Sequence, residues 1–464
     1  MKLARLMVMV MVVVVTLTLL LARASEAQQG SVLKQDRSAG GEGYTVLRVW
    51  GTPQEMGYAQ GFLLAKDALA MLGEVKSKLG SAFALASTAM AAAVWKPSAL
   101  EQELEGVVAG VKAAQPGAAV ELADLKVVNT LGDWMYFACR SHSCWGSRVN
   151  GPTHTLSTRR LDFPTPVPST MHHVMVARAP SDGGVRWLNL GWAGMSTAVT
   201  AVNEYGTLAS LHDYKSKMVA GAHMPRMVAV RYALTLVAGL PLEQHLDAVY
   251  DALQKQSVMT GTFINYYVPE GHGGVITCPP GLPCTKKRLP QIGYFGGEVL
   301  LTTNQETDGL SAPPDDAFMD GYYKTGGPKT IADHHALMGH GGLHLLSVDY
   351  RGRNDMTVWA EGRLSSGVTP TIKIEWSELF PATPPAGDGA RPADGARLAD
   401  GGQTVPDLPL WKGEADALPA GGSGCSCSLS SSAAGPELWL LLAAMGLALA
   451  GLSRRRGGTA SRIG

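Results

Sequence analysis

The period of the hydrophobic pattern changes near residue 140, and this change limits the fold more than any other feature of the sequence. From residue 53 to about residue 112, apolar side chains recur every three or four positions, as in Leu100, Leu104, Val107 and Val111. This is the spacing of a helix face, and residues 122–137 read as a further helix. Beyond residue 144, apolar and polar residues alternate in short segments such as 185–190 and 207–211, which is typical of strands. The sequence therefore predicts an α+β fold with an N-terminal helical segment.

The N-terminus has the pattern of a secretory signal peptide. Lys2 and Arg5 precede an unbroken apolar run over residues 6–21, and small residues follow up to Ala27. A basic start, an apolar centre and a small-residue cleavage site predict a signal peptide over residues 1–27. An uncleaved N-terminal anchor is the alternative.

The C-terminus has a second targeting pattern. A Gly/Ser/Cys stretch with Cys425 and Cys427 leads into an apolar run over residues 438–452, and three arginines follow directly. The run is near the lower length limit for a bilayer span, and the arginines favour a cytoplasmic C-terminus. Residues 425–464 resemble the C-terminal sorting signals of myxobacterial surface proteins; an ordinary single-span anchor is the alternative. Either way we expect an exported protein, held at the outer surface or in the periplasm through its membrane-anchored tail.

The region between these ends predicts one large domain. Residues 380–424 are rich in Pro, Gly, Ala and Asp and predict a flexible linker. Residues 43–379 are long enough for a substantial core, divided by the change of period into a helical pro-segment or small subunit (43–143) and a β-rich catalytic region (144–379). The net charge is zero and there is no basic face, which argues against a nucleic-acid partner.

The chain has six cysteines. Cys278 and Cys284 flank a Pro-rich loop that a disulfide could close in an oxidising compartment. Cys139 and Cys144 then remain to be explained. A short-loop disulfide between these two is one alternative.

An Asn-Gly pair at residues 150–151 predicts a tight β-hairpin that starts at Cys144. Both positions of such a turn need positive φ, which Asn and Gly tolerate. The predicted register places Cys144 opposite Ser157. The returning strand then carries Arg159 and Asp162 past the nucleophilic residue.

A cysteine in this setting has a clear chemical requirement. A thiol attacks as thiolate, so a nearby guanidinium helps, but no base is evident beside Cys144. A cut between Ser143 and Cys144 would create an α-amino group with a pKa of about 8, suited to general-base work. This predicts Ser143–Cys144 as a processing site.

The same residues resemble the penicillin acyltransferase-like and choloylglycine hydrolase-like family of cysteine N-terminal-nucleophile (Ntn) hydrolases. Cys144-Trp-Gly-Ser and the later Thr-Arg-Arg-Leu-Asp-Phe at residues 158–163 are similar to the processed cysteine and following strand of that family. Residues 51–61, 191–206 and 301–304 are similar to three further family segments, in the same order. The resemblance implies a four-layer αββα sandwich. It also implies five site residues: Cys144 as nucleophile, Arg159 near the thiolate, Asp162 at the α-amine, Asn203 at the oxyanion and Asn304 at the pocket.

Two departures affect substrate preference. Arg160 stands where the family has Asn, and Trp145-Gly146 replace a Thr or Ser after the nucleophile. The later pocket arginine of the bile-salt branch has no evident counterpart, which argues against a bile-salt hydrolase.

The predicted function is therefore an exported, autoprocessed cysteine hydrolase or acyltransferase. It would act on a small-molecule amide or ester through a Cys144 acyl-enzyme, at C–N bonds other than peptide bonds, with the processed subunits staying associated. Hydrolysis and transfer remain equal alternatives. An unprocessed, non-catalytic surface binding protein of the same fold is the non-enzyme alternative.

The histidines support neither a metal nor a cofactor at the level of sequence. His334, His335, His340 and His344 cluster, but their spacing fits no compact zinc motif, so no metal and no cofactor are predicted. His142 is expected in an exposed processing loop, and a role in assisting self-cleavage is the alternative. A Cys–His dyad that uses Cys144 or Cys139 is a second enzyme hypothesis, but no spacing suggests a histidine partner for either cysteine.

Overall fold

The computed structural model describes residues 29–37, 43–134, 138–162, 172–214, 218–288, 298–303, 329–338, 343–364, 367–368 and 371–381, with residues 9 and 11–12 near the N-terminus. From residue 29 onward they belong to one unit, Met1–Gly387. Most of the predicted signal peptide, nearly all of the linker and the whole sorting tail lie outside the described residues. Within the described part of the chain, no helix combines the length and apolarity needed to span a bilayer.

Ten helices occur among the described residues. They are α1 (Pro53–Leu63), α2 (Ala65–Leu79), α3 (Ala82–Ala92), α4 (Ala99–Ala114), α5 (Leu122–Val128), α6 (Leu131–Trp134), α7 (Arg226–Thr235), α8 (Leu242–Leu253), α9 (Ile331–Met338) and α10 (Trp376–Leu379). Helix α1 begins where Thr52 and Glu55 form a capping box with Pro53 in the first turn, which satisfies the first backbone donors. Gly57 and Gly61 let α1 pack directly on the α4 backbone, since a Cβ at either position would overlap it.

Sixteen strands are described. They are β1 (Gly30–Arg37), β2 (Gly43–Gly51), β3 (Ala138–Trp145), β4 (Thr155–Asp162), β5 (His173–Pro180), β6 (Trp187–Trp192), β7 (Thr200–Asn203), β8 (Leu208–Asp213), β9 (Thr262–Tyr267), β10 (Gly274–Cys278), β11 (Lys286–Arg288), β12 (Val299–Thr303), β13 (His344–Gly352), β14 (Asp355–Leu364), β15 (Gly367–Val368) and β16 (Ile372–Glu375).

The strands form two sheets. The first has the order β1-β2-β5-β6-β7-β8-β9-β10-β11, and the second has the order β12-β3-β4-β13-β14-β15, with β16 also paired to β14. The β2–β5 pair is parallel, whereas the other pairs are antiparallel. Strand β3 is a central strand of the second sheet, bonded to β12 on one side and to β4 on the other.

The two sheets pack face to face between helices. Their inward side chains share one apolar core that includes Tyr44, Met175, Leu208, Leu346 and Val358. Helices α1 and α7 cover the outer face of the first sheet, with α4 packed on α1, and α9 covers the outer face of the second sheet. The α+β class and the four-layer αββα order are thus confirmed.

Two details differ from the expectation. Strands β1 and β2 precede the helices, so the N-terminal segment is not wholly helical. The predicted boundary at residue 144 falls inside β3, because pairing with β12 and β4 extends that strand back to Ala138.

A buried ion network joins the helices to the first sheet. Glu103 of α4 accepts hydrogen bonds from Arg178 Nε and Arg231 Nη2, both at 2.7 Å, and all three side chains are buried. Burial alone would raise the pKa of Glu103, but the charges of Arg231 and Arg178 outweigh it and hold the pKa below its ordinary value. The two buried guanidinium groups depend on this one carboxylate, because a buried charge without a partner is strongly destabilising.

We predict that Glu103→Ala lowers the free energy of unfolding by about 3–5 kcal/mol, because two guanidinium charges lose their buried partner. Lys112→Ala, on the same helix but in an exposed pair with Glu121, should cost no more than about 1 kcal/mol. Urea denaturation measures both. Because folding lowers the pKa of Glu103, the stabilisation from this carboxylate should be complete above its unfolded pKa of about 4.3. This stabilisation should be lost as the pH falls through the pKa of Glu103 in the folded protein. Equal effects of the two substitutions would contradict the prediction.

Candidate active site

The two unexplained cysteines lie on opposite faces of β3. Side chains alternate along a strand, and an odd separation of five puts Cys139 and Cys144 on different sides. Cys144 packs with Leu156, Val299 and Ile331 between the second sheet and α9. A 139–144 disulfide is therefore wrong for this structure, and none joins these thiols. The predicted Cys278–Cys284 disulfide is confirmed.

The hairpin register explains the difference from the predicted site. Cys144 pairs with Leu156, one residue short of the predicted Ser157. The connection runs over residues 146–154 and begins with a 3-10 turn. Of the Asn-Gly pair, Gly151 alone has positive φ, so the tight two-residue turn is wrong. A one-residue slip moves every side chain to the other face, which places Arg159 away from Cys144.

Arg159 instead contacts Cys139, in the layer between the two sheets. Its Nη2 donates to Cys139 Sγ at 2.8 Å and to the carbonyl oxygen of Leu211 at 2.6 Å. Burial raises the pKa of the Cys139 thiol to about 12, and the Arg159 charge opposes this only in part. In the uncut chain Cys139 is therefore a protonated thiol beside a guanidinium.

Two other predicted residues are Asp162, the last residue of β4, and Asn304, which follows β12 in the sequence. The backbone of Asp162 pairs with Ala138, although its side chain lies outside the described set. Thr303, the last residue of β12, pairs with Arg140. Asn304 follows it and lies outside the described residues. The Arg159 side chain and the backbone of Asp162 thus lie near the start of β3 and not at Cys144.

Asn203 lies in the turn between β7 and β8. Its Oδ1 accepts from the backbone N–H groups of Tyr205 and Thr207, and its Nδ2 donates to the carbonyl oxygen of Leu234. Among the described residues, no hydrogen bond joins Asn203 to either cysteine. Its observed contacts hold the turn, and its role as oxyanion donor stays a prediction.

Polar residues that sequence reasoning missed surround the start of β3. Ser141 Oγ lies 3.0 Å from Ser210 Oγ and 2.8 Å from His212 Nε2. Thr302 Oγ1 donates to Asn265 Oδ1 at 2.8 Å, while the buried Asn265 Nδ2 has no hydrogen-bond partner within the described part of the chain. The available signal was the alternation in β8 and β9, where polar residues occupy inward positions of otherwise apolar strands.

A second buried cluster surrounds Cys144. Its Sγ lies 3.3 Å from His334 Nε2 of α9, and the rings of His142 and His334 are 4.8 Å apart in an edge-to-face arrangement. Sequence spacing suggested no histidine partner for a cysteine, so that expectation is wrong. His142 is fully buried in β3, which also corrects its expected place in an exposed loop.

Hydrogen bonds continue from His334 into the second sheet. His334 Nδ1 lies 3.0 Å from Thr158 Oγ1, which donates to Ser347 Oγ at 2.9 Å. Ser347 contacts His335 Nε2, and His335 Nδ1 lies 3.0 Å from Glu361 Oε1. The predicted histidine cluster is thus divided, since His344 bonds Thr200 between the sheets and His340 lies outside the described residues.

Burial keeps the groups of this second cluster uncharged. It raises the pKa of Cys144, with Arg148 opposing the shift and Glu298 adding to it. It lowers the pKa of His142 to about 3 and that of His334 well below its ordinary value. Neutral thiol and neutral imidazoles therefore face each other near pH 7.

The two candidate cleavage points differ in their surroundings. Ser143 and Cys144 are paired on both sides, with Ser157 and Leu156 in β4 and with Leu300 and Val299 in β12. Ala138 and Cys139 are the first two residues of β3. Cleavage at Ser143–Cys144 would divide a buried strand in its paired part, whereas cleavage between Ala138 and Cys139 would separate only the first residue from the strand.

Comparison with known proteins identifies no family for this chain. No protein-family model and no curated protein sequence matches this chain. One similar solved structure is the Caenorhabditis elegans ortholog of N-acylethanolamine-hydrolyzing acid amidase. It is 13% identical with a TM-score of 0.33, and the match covers 46% of this chain and 92% of that chain. At this level the likeness assigns no reaction and no residue role.

We predict that neither thiol reacts readily in the folded, uncut chain. With a pKa of about 12, Cys139 should be alkylated by iodoacetamide at pH 8 roughly 10³-fold more slowly than in urea, because the thiolate is the reactive form. Cys144 should behave in the same way. Mass spectrometry of the uncut band reads each cysteine separately, with the urea-treated chain as control. Rapid native labelling of Cys139 would contradict the prediction.

Proposed function

We propose that this protein is a cysteine amidohydrolase or acyltransferase of the N-terminal-nucleophile type, with Cys139 in place of Cys144 as the nucleophile. The observation that supports this most is the 2.8 Å contact from the Arg159 guanidinium to Cys139 Sγ in the layer between the sheets. A guanidinium at this distance favours the thiolate over the thiol. The family resemblance carries over with one change, in the identity of the cysteine.

Cleavage between Ala138 and Cys139 supplies the missing base. It releases an α-amino group on the nucleophile itself, with an ordinary pKa of about 8, which suits proton transfer near neutrality. The cut falls at the start of β3, so the ladders to β4 and β12 can persist. Asp162, whose backbone pairs with Ala138, follows in the strand position expected for a residue that orients this amine.

The reaction then proceeds through a thioester. The Cys139 thiol gives its proton to the α-amine, and sulfur attacks the carbonyl carbon of an acyl amide or ester, so that a C–S bond forms and the carbonyl oxygen becomes an oxyanion. Collapse breaks the bond to the leaving amine or alcohol, which takes the proton. Water or a second amine next attacks the thioester, which completes hydrolysis or transfer and restores the thiol. One oxyanion donor contributes about 3–4 kcal/mol in such reactions, and Asn203 stays our candidate for that donor.

Export and anchoring belong to the same proposal. A disulfide between Cys278 and Cys284 is typical of proteins in oxidising compartments, which supports the signal-peptide prediction. The tail over residues 425–464 would then hold the enzyme at the cell surface.

N-terminal sequencing of the larger fragment of the purified protein tests the nucleophile. We expect Cys139 as its first residue. Cys139→Ala should remain uncut, while Cys139→Ser should retain slow cleavage because it keeps a nucleophilic oxygen. A fragment that begins at Cys144 would return the role to that residue. A chain that stays uncut and inactive under all conditions would favour the non-catalytic binding protein.

Activity is measured against a panel of chromogenic N-acyl amides and acyl esters. We expect Cys139→Ala to lower the rate by at least about 10³-fold, as removal of a nucleophile does. Loss of activity in Cys144→Ala with full activity in Cys139→Ala would instead support the Cys144–His334 dyad, whose sulfur–nitrogen distance is 3.3 Å.

A further inference from the structure

Three metal-ligating side chains converge between the second sheet and α9, away from the proposed nucleophile. The ligand atoms of His142, Cys144 and His334 all lie within 4.8 Å of one another, and each of the three residues is fully buried. His142 and Cys144 lie two residues apart on β3 and therefore share a face, to which α9 brings His334. Local spacing does not indicate this grouping, because 190 residues separate Cys144 from His334.

Hydrogen bonding prepares His334 for coordination. Thr158 donates its hydroxyl proton to Ser347, so its oxygen accepts the Nδ1 proton of His334. The Nε2 atom then keeps its lone pair, and this is the atom that faces Cys144 Sγ at 3.3 Å. Ligating histidines commonly have their second nitrogen fixed in this way, which sets both tautomer and ring orientation.

The ligand types and spacing match a d¹⁰ cation. Two imidazole nitrogens and one thiolate are common zinc ligands, with Zn–S of about 2.3 Å and Zn–N of about 2.0–2.1 Å. Around one ion, such bonds place the ligand atoms roughly 3.3–3.6 Å apart. The Cys144–His334 distance fits already, and the wider separations in the cluster close with a movement of about 1 Å.

The surroundings favour a bound ion as well. Apolar residues Leu156, Val299 and Ile331 pack around Cys144, and an apolar shell of this kind limits solvent access to a bound ion. The carbonyl oxygen of Arg148 lies 3.8 Å from Cys144 Sγ, and a fourth ligand, protein or water, would complete a tetrahedron.

We propose that His142, Cys144 and His334 bind one structural Zn²⁺ that ties α9 to the second sheet. Binding replaces the thiol proton of Cys144, which is released to solvent, and forms one Zn–S and two Zn–N bonds. The site does not depend on the proposed function, because Cys139 faces the other side of β3.

Metal analysis of the full chain tests the site. Protein expressed with added zinc and dialysed against metal-free buffer should carry roughly one zinc per chain. His334→Gln and Cys144→Ser should each reduce this to less than about one tenth, because two remaining ligands hold zinc poorly. Cys139→Ala is the matched control: it removes the other buried thiol and should keep its zinc, even if it blocks cleavage and activity.

Cobalt substitution in the wild-type protein provides a test of the site that does not depend on how well the variants fold. Wild-type protein stripped of zinc and given Co²⁺ should show a thiolate-to-cobalt charge-transfer band and the visible bands of tetrahedral cobalt. Wild-type protein that carries no stoichiometric zinc and gives no such bands would overturn the proposal. A copper ion in place of zinc, or cobalt bands that persist in both ligand variants, would also overturn it.

Discussion

Hydrogen bonding on both sides of β3 is the constraint on which the rest of the candidate chemistry depends. Pairing with β12 and β4 fixes this strand in the middle of the second sheet, so its side chains alternate strictly between two layers. Cys139 and Ser141 face the first sheet, whereas His142 and Cys144 face α9. One strand thereby serves two chemically distinct clusters that share no side chain.

Desolvation acts on both clusters but has different consequences. Between the sheets, burial raises the thiol pKa of Cys139 although Arg159 opposes it, so the uncut chain is held in a chemically quiet form. Beneath α9, burial disfavours charge on the thiol of Cys144 and on both imidazoles. The Cys139 thiol would lose its proton readily once the proposed cleavage supplied an α-amino base. The Cys144 thiol would lose its proton when the proposed metal ion bound.

The fold class followed from the sequence because helix and strand periods were well separated, and the disulfide followed from a short Pro-rich loop. The contact of Arg159 with a cysteine was also predictable, since a hairpin returns the chain along itself. Which cysteine Arg159 contacts was not predictable, because a one-residue register change reverses the faces and the Asn-Gly pair suggested the wrong turn. The His334 contact depends on where α9 docks, which is a tertiary property that local spacing does not contain.

The parallel ladder between β2 and β5 has a consequence for a chain cut before Cys139. The N-terminal piece would carry β1, β2 and the first six helices, yet β2 lies inside the first sheet and pairs with β5 along its whole length, from Tyr44–His173 to Gly51–Pro180. The two polypeptides would thus share a single sheet and a single core. Unfolding would release two molecules from one, so recovery of the native fold would become a second-order process that dilution slows. A cut at β3 would therefore replace the folding of one chain by the association of two fragments. Once unfolded and separated, these fragments would not readily form the native structure again.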